Sequence, residues 1–550
     1  MCKFRWMRWM LAGLVLLLLL SLAACGNDGE KEESALSPEV TGTPKKPVVL
    51  RVGTTKPFKT TNMFSDYWYG VLRSITTHDS LIRLGPDMSL TPDLATEWEI
   101  SPDSRRFTLT IAEGVTWHDG VPLTPEDVRF SIEYYRDKIS YAAWMKEIVQ
   151  SVRTEGRKVI LELSKPYGNL LTEFMSYDPI PKHIWEKVEN PDTYEGADRT
   201  IGCGPFKFHS WDEAAKRFVF VANESYYRGK PNVDRLEIEV FSNMDALVMA
   251  LSRGEIDTWW DYSGEFPYTY VPTLLKSGKI EFASTTFLGV PAALGFNLDR
   301  PPLDRVEVRR ALTKAIDYRE IVDLVFYNYG SVPTYGFAPP THANSNDAVA
   351  PLEYDPQGAR ALLDQMGIVD SDGNGIREVS PGKDITLTLL ARSDAPSIVR
   401  CAEMIEQYFD AVGIGSRIVA VDSATWVARK DAMDYDIVFF RGTPWGMLMH
   451  AGHGTGYFDS RRTGQGVLHN LSAPEYLDAC DARLGTAIPE EQRELDLRLQ
   501  ALHEEYVPGV ALAWIESVYP YRKGWENWVI DPMYGGVVNS FSWFTVTRAE

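Results

Sequence analysis

Short segments with the periodicity of β-strands alternate along this chain with segments that have the periodicity of helices. RRFTLTI and KVILEL place apolar side chains at every second position, which is the pattern of a half-buried strand. LTPEDVRFSIEYY predicts a helix with Thr124 at its N-cap, Pro125 in its first turn and Asp127 three residues after the cap. Strands that alternate with helices predict an α/β architecture whose sheets are largely buried.

The same alternation continues in the second half of the chain. DITLTLL, SRIVAV and YDIVFF predict strands, whereas PSIVRCAEMIEQYFDAVG predicts a helix that Gly413 ends and SATWVARK a short helix. DRVEVRRALTKAID predicts a further helix, with Asp304 and Glu307 at the spacing of a capping box. Neither a fixed-period repeat nor a heptad run is present, so we predict two α/β bodies joined near 285–300.

The N-terminus predicts the cellular compartment. Three basic residues precede an apolar run at 11–22 that is short for a bilayer span and ends in small residues, which predicts a secretory signal over 1–24. The letters LAAC that end this segment resemble the bacterial lipobox. The resemblance implies lipid attachment to Cys25 and anchoring at the cell membrane, in the periplasm or on the outer surface; a simple membrane anchor is the alternative. The polar segment 25–47 predicts a flexible tether.

The charge and cysteine content exclude several classes of partner. The formal net charge of −20 argues against nucleic acid, because phosphate binding requires clustered cations, and against electrostatic binding to anionic lipid. The mature chain would keep Cys203, Cys401 and Cys480, which permit at most one disulfide and do not specify which. None has a C-x-x-C partner, so neither a structural zinc site nor thioredoxin chemistry is expected.

Several phrases in order carry a resemblance to a known family. The phrases are TWHDGVPLTPEDVRFSIEYY, IGCGPFKFHSW with ANESYYRGKPNVDRLEIEVFSNMDALVMALSRGEIDTWW, and GFNLDRPPLDRVEVRRALTKAID. They resemble the extracellular solute-binding proteins of the peptide and nickel ABC-importer family, family 5. The likeness runs from about Val48 to the C-terminus. It implies a two-lobed, periplasmic-binding-protein-like clamshell of class II type with an extra subdomain in the first lobe. It also implies a small-molecule ligand enclosed between the lobes and an ABC permease as partner, and we expect a monomer.

The resemblance also implies how the chain is divided between the lobes. Two hinge segments, near 285–300 and 500–515, would absorb the rotation of one lobe against the other. The predicted divisions are a first lobe at 48–288 with a subdomain at about 80–190, a second lobe at 289–510, and a C-terminal return to the first lobe at 511–550.

The segment RGTPWGMLMHAGHG at 441–454 follows the predicted strand YDIVFF directly. It is too apolar for an ordinary surface turn and too interrupted by glycine for a helix. Loops at the carboxyl ends of strands in α/β sheets commonly line ligand sites. Trp445 is therefore a candidate wall of the ligand site. His450 and His453 are candidate ligand contacts and metal ligands, with hydrogen bonding to the backbone as the alternative.

The same loop bears on the class of ligand. Peptide binders of the resembling family carry an acidic residue here that pairs with the amino terminus of the ligand. The matching residues are Met447, Leu448 and Met449, which include no acid. This weakens a standard peptide clamp, because a buried ammonium group would be left without a counter-charge.

Nickel binders of the resembling family hold a metal chelate between apolar and aromatic walls. Met63 stands where that subgroup has a methionine and Trp144 where it has a tryptophan, which makes both candidate ligand contacts. Ordinary core packing is the alternative for both residues, since large apolar side chains usually fill cores. The hydrophobic walls of the nickel binders are thus shared by this chain.

The polar anchors of the nickel binders are not shared. The positions of the arginines that bind the chelator hold Tyr141 and Tyr177, of which Tyr177 is a further candidate contact, and the position of the subgroup's histidine falls on Arg461. Anchoring of carboxylates would therefore have to come from Arg441, Arg461 or Arg462, among which Arg441 is the candidate site residue.

DSDGNGIREV resembles a calcium-binding loop in part. Asp370, Asp372, Asn374 and Gly375 fall at positions one, three, five and six. The twelfth position, where a bidentate glutamate belongs, is Pro381, and no pair of flanking helices is evident. An Asx-rich turn is therefore favoured over calcium, and no cofactor is predicted.

Catalytic signatures are absent from the sequence. It contains no G-x-S-x-G, no G-x-x-x-x-G-K-[ST] and no H-E-x-x-H motif, and we expect a binding protein rather than an enzyme. A secreted metal-dependent hydrolase is the alternative if distant carboxylates converge with the H-x-x-H pair. Between ligands, a nickel or other metal chelate is narrowly favoured over an oligopeptide.

Overall fold

The structure is a computed structural model that describes residues 46–262, 264–448, 454–461, 468, 470–534 and 536–549. The predicted signal peptide, Cys25 and nearly all of the predicted tether lie outside these residues. Among the helices that are described, none combines the length and the apolar character that a membrane span requires.

The strands alternate with helices as predicted. The strands in the first 300 residues are β1 (Val49–Thr54), β2 (Ile82–Leu84), β3 (Leu90–Pro92), β4 (Ala95–Ile100), β5 (Arg106–Ile111), β6 (Val149–Glu155), β7 (Lys158–Leu163), β8 (Phe206–Asp212), β9 (Arg217–Ala222), β10 (Arg235–Val240), β11 (Thr258–Trp259), β12 (Ile280–Thr286) and β13 (Val290–Phe296). The later strands are β14 (Gly330–Ser331), β15 (Glu378–Ser380), β16 (Lys383–Asp384), β17 (Thr386–Arg392), β18 (Gly415–Val421), β19 (Ile437–Gly442), β20 (Gly509–Ala511), β21 (Trp514–Arg522), β22 (Trp525–Glu526) and β23 (Thr547–Arg548).

Helices connect many of these strands. The α-helices are α1 (Tyr67–Arg73), α2 (Pro125–Lys138), α3 (Met145–Ile148), α4 (Leu170–Glu173), α5 (Lys182–Trp185), α6 (Met244–Arg253), α7 (Val271–Lys276), α8 (Val306–Ala315), α9 (Tyr318–Val325), α10 (Pro356–Gln365), α11 (Pro396–Ala411), α12 (Ser423–Asp431), α13 (Pro444–Leu448), α14 (Pro474–Leu484) and α15 (Pro489–Tyr506). Short 3₁₀ helices span Ser140–Ala142, Pro191–Thr193, Ala197–Thr200, Tyr268–Tyr270, Thr455–Phe458 and Ser542–Phe544.

The first lobe is built on a mixed sheet with the strand order β12-β21-β11-β1-β10-β9-β8, and β14 pairs with β21 outside this path. The central strand β1 runs parallel to β10 and β11, whereas β21 is antiparallel to β11 and β12. Leu50 and Val52 of β1 point to the same face of the sheet and are fully buried, whereas Val49 and Arg51 on the opposite face are half-buried.

A four-stranded antiparallel sheet, β4-β5-β7-β6, forms a subdomain with α2 packed against β6 and β7. The side chains of Phe107, Leu109 and Ile111 in β5 are buried and alternate with more exposed ones, which confirms the strand predicted for RRFTLTI. The predicted capping box of α2 is also confirmed, because Thr124 and Asp127 exchange hydrogen bonds at the helix N-terminus.

The second lobe is built on a five-stranded sheet with the order β18-β17-β19-β13-β20. β17 lies between β18 and β19 and runs parallel to both, and α11 packs on β17 and β18. The strands predicted for DITLTLL, SRIVAV and YDIVFF are thus neighbours in one sheet. The chain leaves α11 near Gly413, whose φ of +82° is the left-handed conformation that glycine adopts readily.

The chain passes between the two sheets at two places close to the predicted hinges. β12 of the first sheet is followed by β13 of the second over 287–289, and β20 of the second sheet is followed by β21 of the first over 512–513. The predicted segments 285–300 and 500–515 contain these crossings.

Away from the crossings, the subdomain contacts the second lobe through a loop at 484–489. The backbone N–H of Gly168 donates to the carbonyl oxygen of Leu484 at 2.6 Å. The N–H of Ala487 donates to Ser104 Oγ at 2.9 Å, and Gln492 Nε2 donates to the carbonyl oxygen of Gly168 at 3.0 Å. The approach requires a glycine, since a Cβ at position 168 would lie 2.0 Å from the carbonyl oxygen of Thr486.

Two local predictions are wrong. α8 begins at Val306 after a turn at 301–304, with Arg305 at its N-cap and no capping side chain, so Asp304 precedes the cap and forms no capping box with Glu307. The segment predicted to be too interrupted for a helix contains α13, because Pro444 suits the first position of a helix and only one of the four glycines, Gly446, lies within it.

The three cysteines expected in the mature chain are buried, and no disulfide joins any two of them.

Candidate functional site

A cavity of about 420 Å³ lies beside α1 in the first lobe, a volume within the range of small-molecule sites. Its walls are mainly aromatic and apolar, with several hydroxyl groups and one guanidinium group. The residues that define its character are Met63, Arg73, Tyr141, Tyr177, Tyr262 and Tyr534.

The loop before α1 holds Met63 in this cavity. Asp66 is the N-cap of α1, accepts a hydrogen bond from the N–H of Tyr69 at 3.0 Å and bonds the loop backbone at Thr60 at 3.2 Å. Asn62 Nδ2 donates to two backbone carbonyl oxygens of the segment at 191–194. Because both ends of the loop are fixed, Met63 lies buried against the cavity rather than in solvent.

Tyr177 lines another wall, and Trp144, which is not among the lining residues, forms a hydrogen bond with it. Trp144 Nε1 donates to the hydroxyl oxygen of Tyr177 at 2.9 Å, and the Tyr177 ring stacks on that of Tyr141 with centroids 6.2 Å apart. Burial raises the pKa of the Tyr177 hydroxyl well above its ordinary value, so this group stays neutral. Because its oxygen already accepts from Trp144, the hydroxyl keeps its own proton to donate to a ligand acceptor.

Arg73, at the end of α1, is a cavity residue that the sequence analysis missed. Its Nη1 donates to Asp178 Oδ2 at 2.6 Å and its Nη2 to the hydroxyl of Tyr135 at 3.3 Å. Its buried Nε has no hydrogen-bond partner among the residues that the structure describes. The available signal was a lone arginine in the otherwise apolar YWYGVLR, which forms the whole of α1.

Arg441, at the end of β19, brings positive charge from the second lobe towards acids of the first. Burial raises the pKa of both Asp261 and Glu265, and in each case the charge of Arg441 opposes this rise. Asp261, which directly precedes the cavity residue Tyr262, also forms an ion pair with Lys56. The predicted ligand anchor Arg441 therefore interacts with first-lobe carboxylates and lies outside the cavity lining.

The other predicted anchor for which the structure gives contacts is Arg461, and its guanidinium group is already bound. It donates to Asp459 and Asp481, with nitrogen–oxygen distances between 2.8 and 3.0 Å. Met447, one of the residues at the position of the missing peptide-clamp acid, is buried in the core of the second lobe.

Part of the predicted second-lobe wall is not described. The backbone of Trp445 belongs to α13, and its side chain lies outside the part of the chain that the structure describes. His450, His453 and Arg462 also lie outside the described residues.

Comparison with known proteins gives a consistent result. The family model for bacterial extracellular solute-binding proteins, family 5 Middle, matches residues 89–462. The dipeptide-binding protein of Escherichia coli is 24% identical over 474 residues, covering 80% of this chain and 84% of that protein. The nickel-binding periplasmic protein of Escherichia coli is 26% identical over 381 residues, covering 67% and 70%.

A solved structure shows the same fold. NikZ from Campylobacter jejuni, in complex with Ni(L-His), superposes with a TM-score of 0.71 at 24% identity, covering 92% of this chain and all of that one. The predicted two-lobed α/β fold is confirmed. Because the family model matches more than half of the chain, this protein belongs to the bacterial extracellular solute-binding proteins of family 5, which bind substrates for ABC transporters.

Proposed function

We propose that this protein captures a compact ligand in the cavity beside α1 and delivers it to an ABC permease while lipid on Cys25 anchors it outside the cytoplasm. The observation that carries the proposal is the 420 Å³ cavity with aromatic walls, a methionine and a buried arginine. A site of this volume suits a ligand of a few residues or a small chelate rather than a long peptide.

The polar groups of the cavity favour a ligand that carries carboxylates. Arg73 and the hydroxyls of Tyr141 and Tyr177 line it, and among the described lining residues there is no carboxylate. A ligand ammonium group enclosed here would lack a counter-charge, whereas a carboxylate would meet hydrogen-bond donors. We therefore place a nickel or other metal chelate ahead of an oligopeptide. The nickel-binding relative and the Ni(L-His) complex are consistent with this order.

In this proposal each lobe contributes walls and donors. Met63, Trp144 and Tyr177 form the first-lobe wall, and Trp445 forms the facing wall in the second lobe. His450 and His453 supply imidazole to the metal, and Arg441 supplies positive charge at the border of the site.

A short peptide is the second candidate, and Asp261 is the observation that favours it. This carboxylate is buried directly before the cavity residue Tyr262, and Glu265 lies four residues further on. Either acid would supply the counter-charge for the amino terminus of the ligand, which the loop at 447–449 does not supply.

The test is to purify the chain from residue 26 without chelator and to measure metal content and native mass on one sample. We expect stoichiometric metal that is lost in His450→Ala and His453→Ala and retained in the matched control His209→Ala, an exposed histidine of β8. Metal-free protein carrying a ladder of peptide masses would overturn the chelate in favour of the peptide. Turnover of a hydrolase panel, abolished by a chelator, would instead favour a metal-dependent hydrolase.

Lipid anchoring is tested separately. The full-length chain expressed in a bacterial host should fractionate with membranes and carry a diacylglycerol-modified N-terminal cysteine by mass spectrometry, and Cys25→Ser should be released in soluble form. A native chain with the same mass and fractionation as Cys25→Ser would contradict the anchor.

A further inference from the structure

Three carboxylates converge in the loop between α10 and β17 of the second lobe. Asp370, Asp372 and Glu378 each offer a ligand atom, and these atoms all lie within 4.8 Å of one another. Among the described residues, no lysine or arginine forms an ion pair with any of the three. Carboxylates this close repel one another unless a cation lies between them.

Hydrogen bonds to the carboxylate of Asp370 fold the loop at 370–375 into a turn. Asp370 accepts hydrogen bonds from the N–H groups of Gly373 at 2.8 Å, Asn374 at 3.2 Å and Gly375 at 2.9 Å, which is the Asx-rich turn that the sequence predicted. Gly375, at the sixth position, has a φ of +91°, as the sharp turn at the invariant glycine of such loops requires. Asn374 Nδ2 donates to Asp372 Oδ2 at 3.3 Å and holds that carboxylate in place.

Glu378 is the observation that points to a ligand. Its side chain is only 3% exposed, and its Oε2 accepts hydrogen bonds from Ser371 Oγ at 2.7 Å and from the N–H of Gly382 at 3.0 Å. Its Oε1 is buried and has no hydrogen-bond partner in the described part of the chain. A buried carboxylate oxygen without a partner is costly, and a bound cation removes the cost.

Pro381 at the twelfth position offers no ligand atom, so a calcium ion would need another carboxylate in its place. Glu378, the first residue of β15, stands at the ninth position and is close enough to Asp370 and Asp372 to offer one. The sequence pattern did not show this, because the convergence depends on the short pairing of β15 with β16.

We propose that Asp370, Asp372 and Glu378 bind Ca²⁺. Calcium takes six to eight oxygen ligands in a flexible geometry, so three carboxylates, a backbone carbonyl and water complete its shell. Magnesium keeps most of its water and is usually bound by one or two carboxylates, which favours calcium at this cluster. The site is separate from the ligand cavity and does not depend on which solute is carried.

The bound ion would stabilise the junction of two helices in the second lobe. Arg377, next to Glu378, donates to the carbonyl oxygen of Val412 beyond α11 at 2.8 Å and to Asp364 of α10 at 2.6 Å. Ordering the loop thus fixes the ends of both helices. In an extracytoplasmic protein a Kd of about 10⁻⁴ to 10⁻³ M matches the range of extracellular calcium modules.

Isothermal titration of the metal-stripped chain from residue 26 with CaCl₂, and separately with MgCl₂, tests the proposal. We expect one calcium per chain at the Kd above and weaker binding of magnesium. With that Kd, 10 mM calcium should raise the ratio of folded to unfolded protein by about 10- to 100-fold. Asp372→Asn and Glu378→Gln should each weaken calcium binding at least tenfold.

The matched control is Asp394→Asn, which removes one exposed carboxylate from the same lobe outside the loop and should bind calcium like the native chain. If Glu378→Gln does not fold, Asp372→Asn decides, because Asp372 is exposed. Native protein that takes up no calcium at 10 mM overturns the proposal. Equal loss of binding in Asp394→Asn and Asp372→Asn overturns it as well, since binding would then reflect net charge. Neither result bears on capture of the solute in the cavity.

Discussion

Replacing Arg73 with methionine should lower the free energy of unfolding by about 3 kcal/mol, because the change leaves Asp178 buried without its cation. The side chains are 3% and 0% exposed, and Nη1 lies 2.6 Å from Oδ2. Removing one member of a buried ion pair generally costs about 3 to 5 kcal/mol. Asp178 keeps hydrogen bonds from Ser74 Oγ at 2.8 Å and Ser80 Oγ at 2.7 Å, so we expect the lower end of this range.

The charge of Asp178 causes most of this loss and can be removed in turn. In Arg73→Met/Asp178→Asn one serine hydroxyl can donate to the amide oxygen and the other can accept from the amide nitrogen, and no unpaired charge is buried. The double variant should therefore recover about 2 kcal/mol relative to Arg73→Met, because the charge that Arg73→Met leaves unpaired is no longer present.

Equilibrium unfolding in urea at pH 7 measures the four free energies of this cycle. Arg235→Met is the matched control, because Arg235 is 43% exposed and its ion pair with Glu237 should contribute less than about 1 kcal/mol. The reasoning is refuted if Arg73→Met costs no more than Arg235→Met, or if the double variant is no more stable than Arg73→Met.

Three further predictions follow from the described contacts. Burial raises the pKa of Glu173 to about 8, so its contribution to stability is complete below about pH 4.5 and is lost as the pH rises to 8. Between pH 5 and pH 8 the free energy of unfolding of the native chain, measured in urea, should fall by roughly 1.4 kcal/mol per pH unit, whereas that of Glu173→Gln should not. An equal fall in both chains would contradict this prediction. Gly168→Ala should push the subdomain from Thr486 and increase the radius of gyration in X-ray scattering; equal radii for it and the exposed-residue control Lys165→Ala would argue against the contact. The three buried cysteines of the mature chain should react with a thiol reagent in urea and not in buffer, and fast labelling of the folded chain would disprove their burial.

The sequence predicted the α/β fold well because many of its strands and helices carry strong local signals. β5 and β17 have clear patterns of apolar residues, and the N-terminal cap of α2 is formed by residues that are close together in the sequence. The start of α8 was misplaced because two features compete there, a turn at 301–304 and a capping-box spacing that includes Asp304. Sequence spacing alone does not show which of them the chain adopts.

The sequence predicted residues of the cavity only at positions that the family resemblance supplied. Met63 and Tyr177 line the cavity, and Trp144 contributes through its hydrogen bond to Tyr177. Arg73 was missed because its partner Asp178 lies 105 residues further along the chain, and no local pattern links the two. The approach of Glu378 to Asp370 and Asp372 was missed for the same reason on a smaller scale, since the pairing of β15 with β16 is not visible in the spacing of these residues.

The position of Arg441 has a consequence for how binding and closure are coupled. Its charge opposes the rise that burial causes in the pKa of Asp261 and Glu265, so it attracts these first-lobe carboxylates, and an opening that separates the lobes would weaken this attraction. A ligand shifts the lobes towards the closed form because it binds that form more tightly than the open form. Any attraction between the lobes reduces the free energy of closure that the ligand must supply. Arg441 itself is exposed, so solvent screens this attraction and keeps it modest. A carrier that must release its cargo to a permease needs this balance, because a strong ion pair between the lobes would close the empty protein and slow its exchange of ligand.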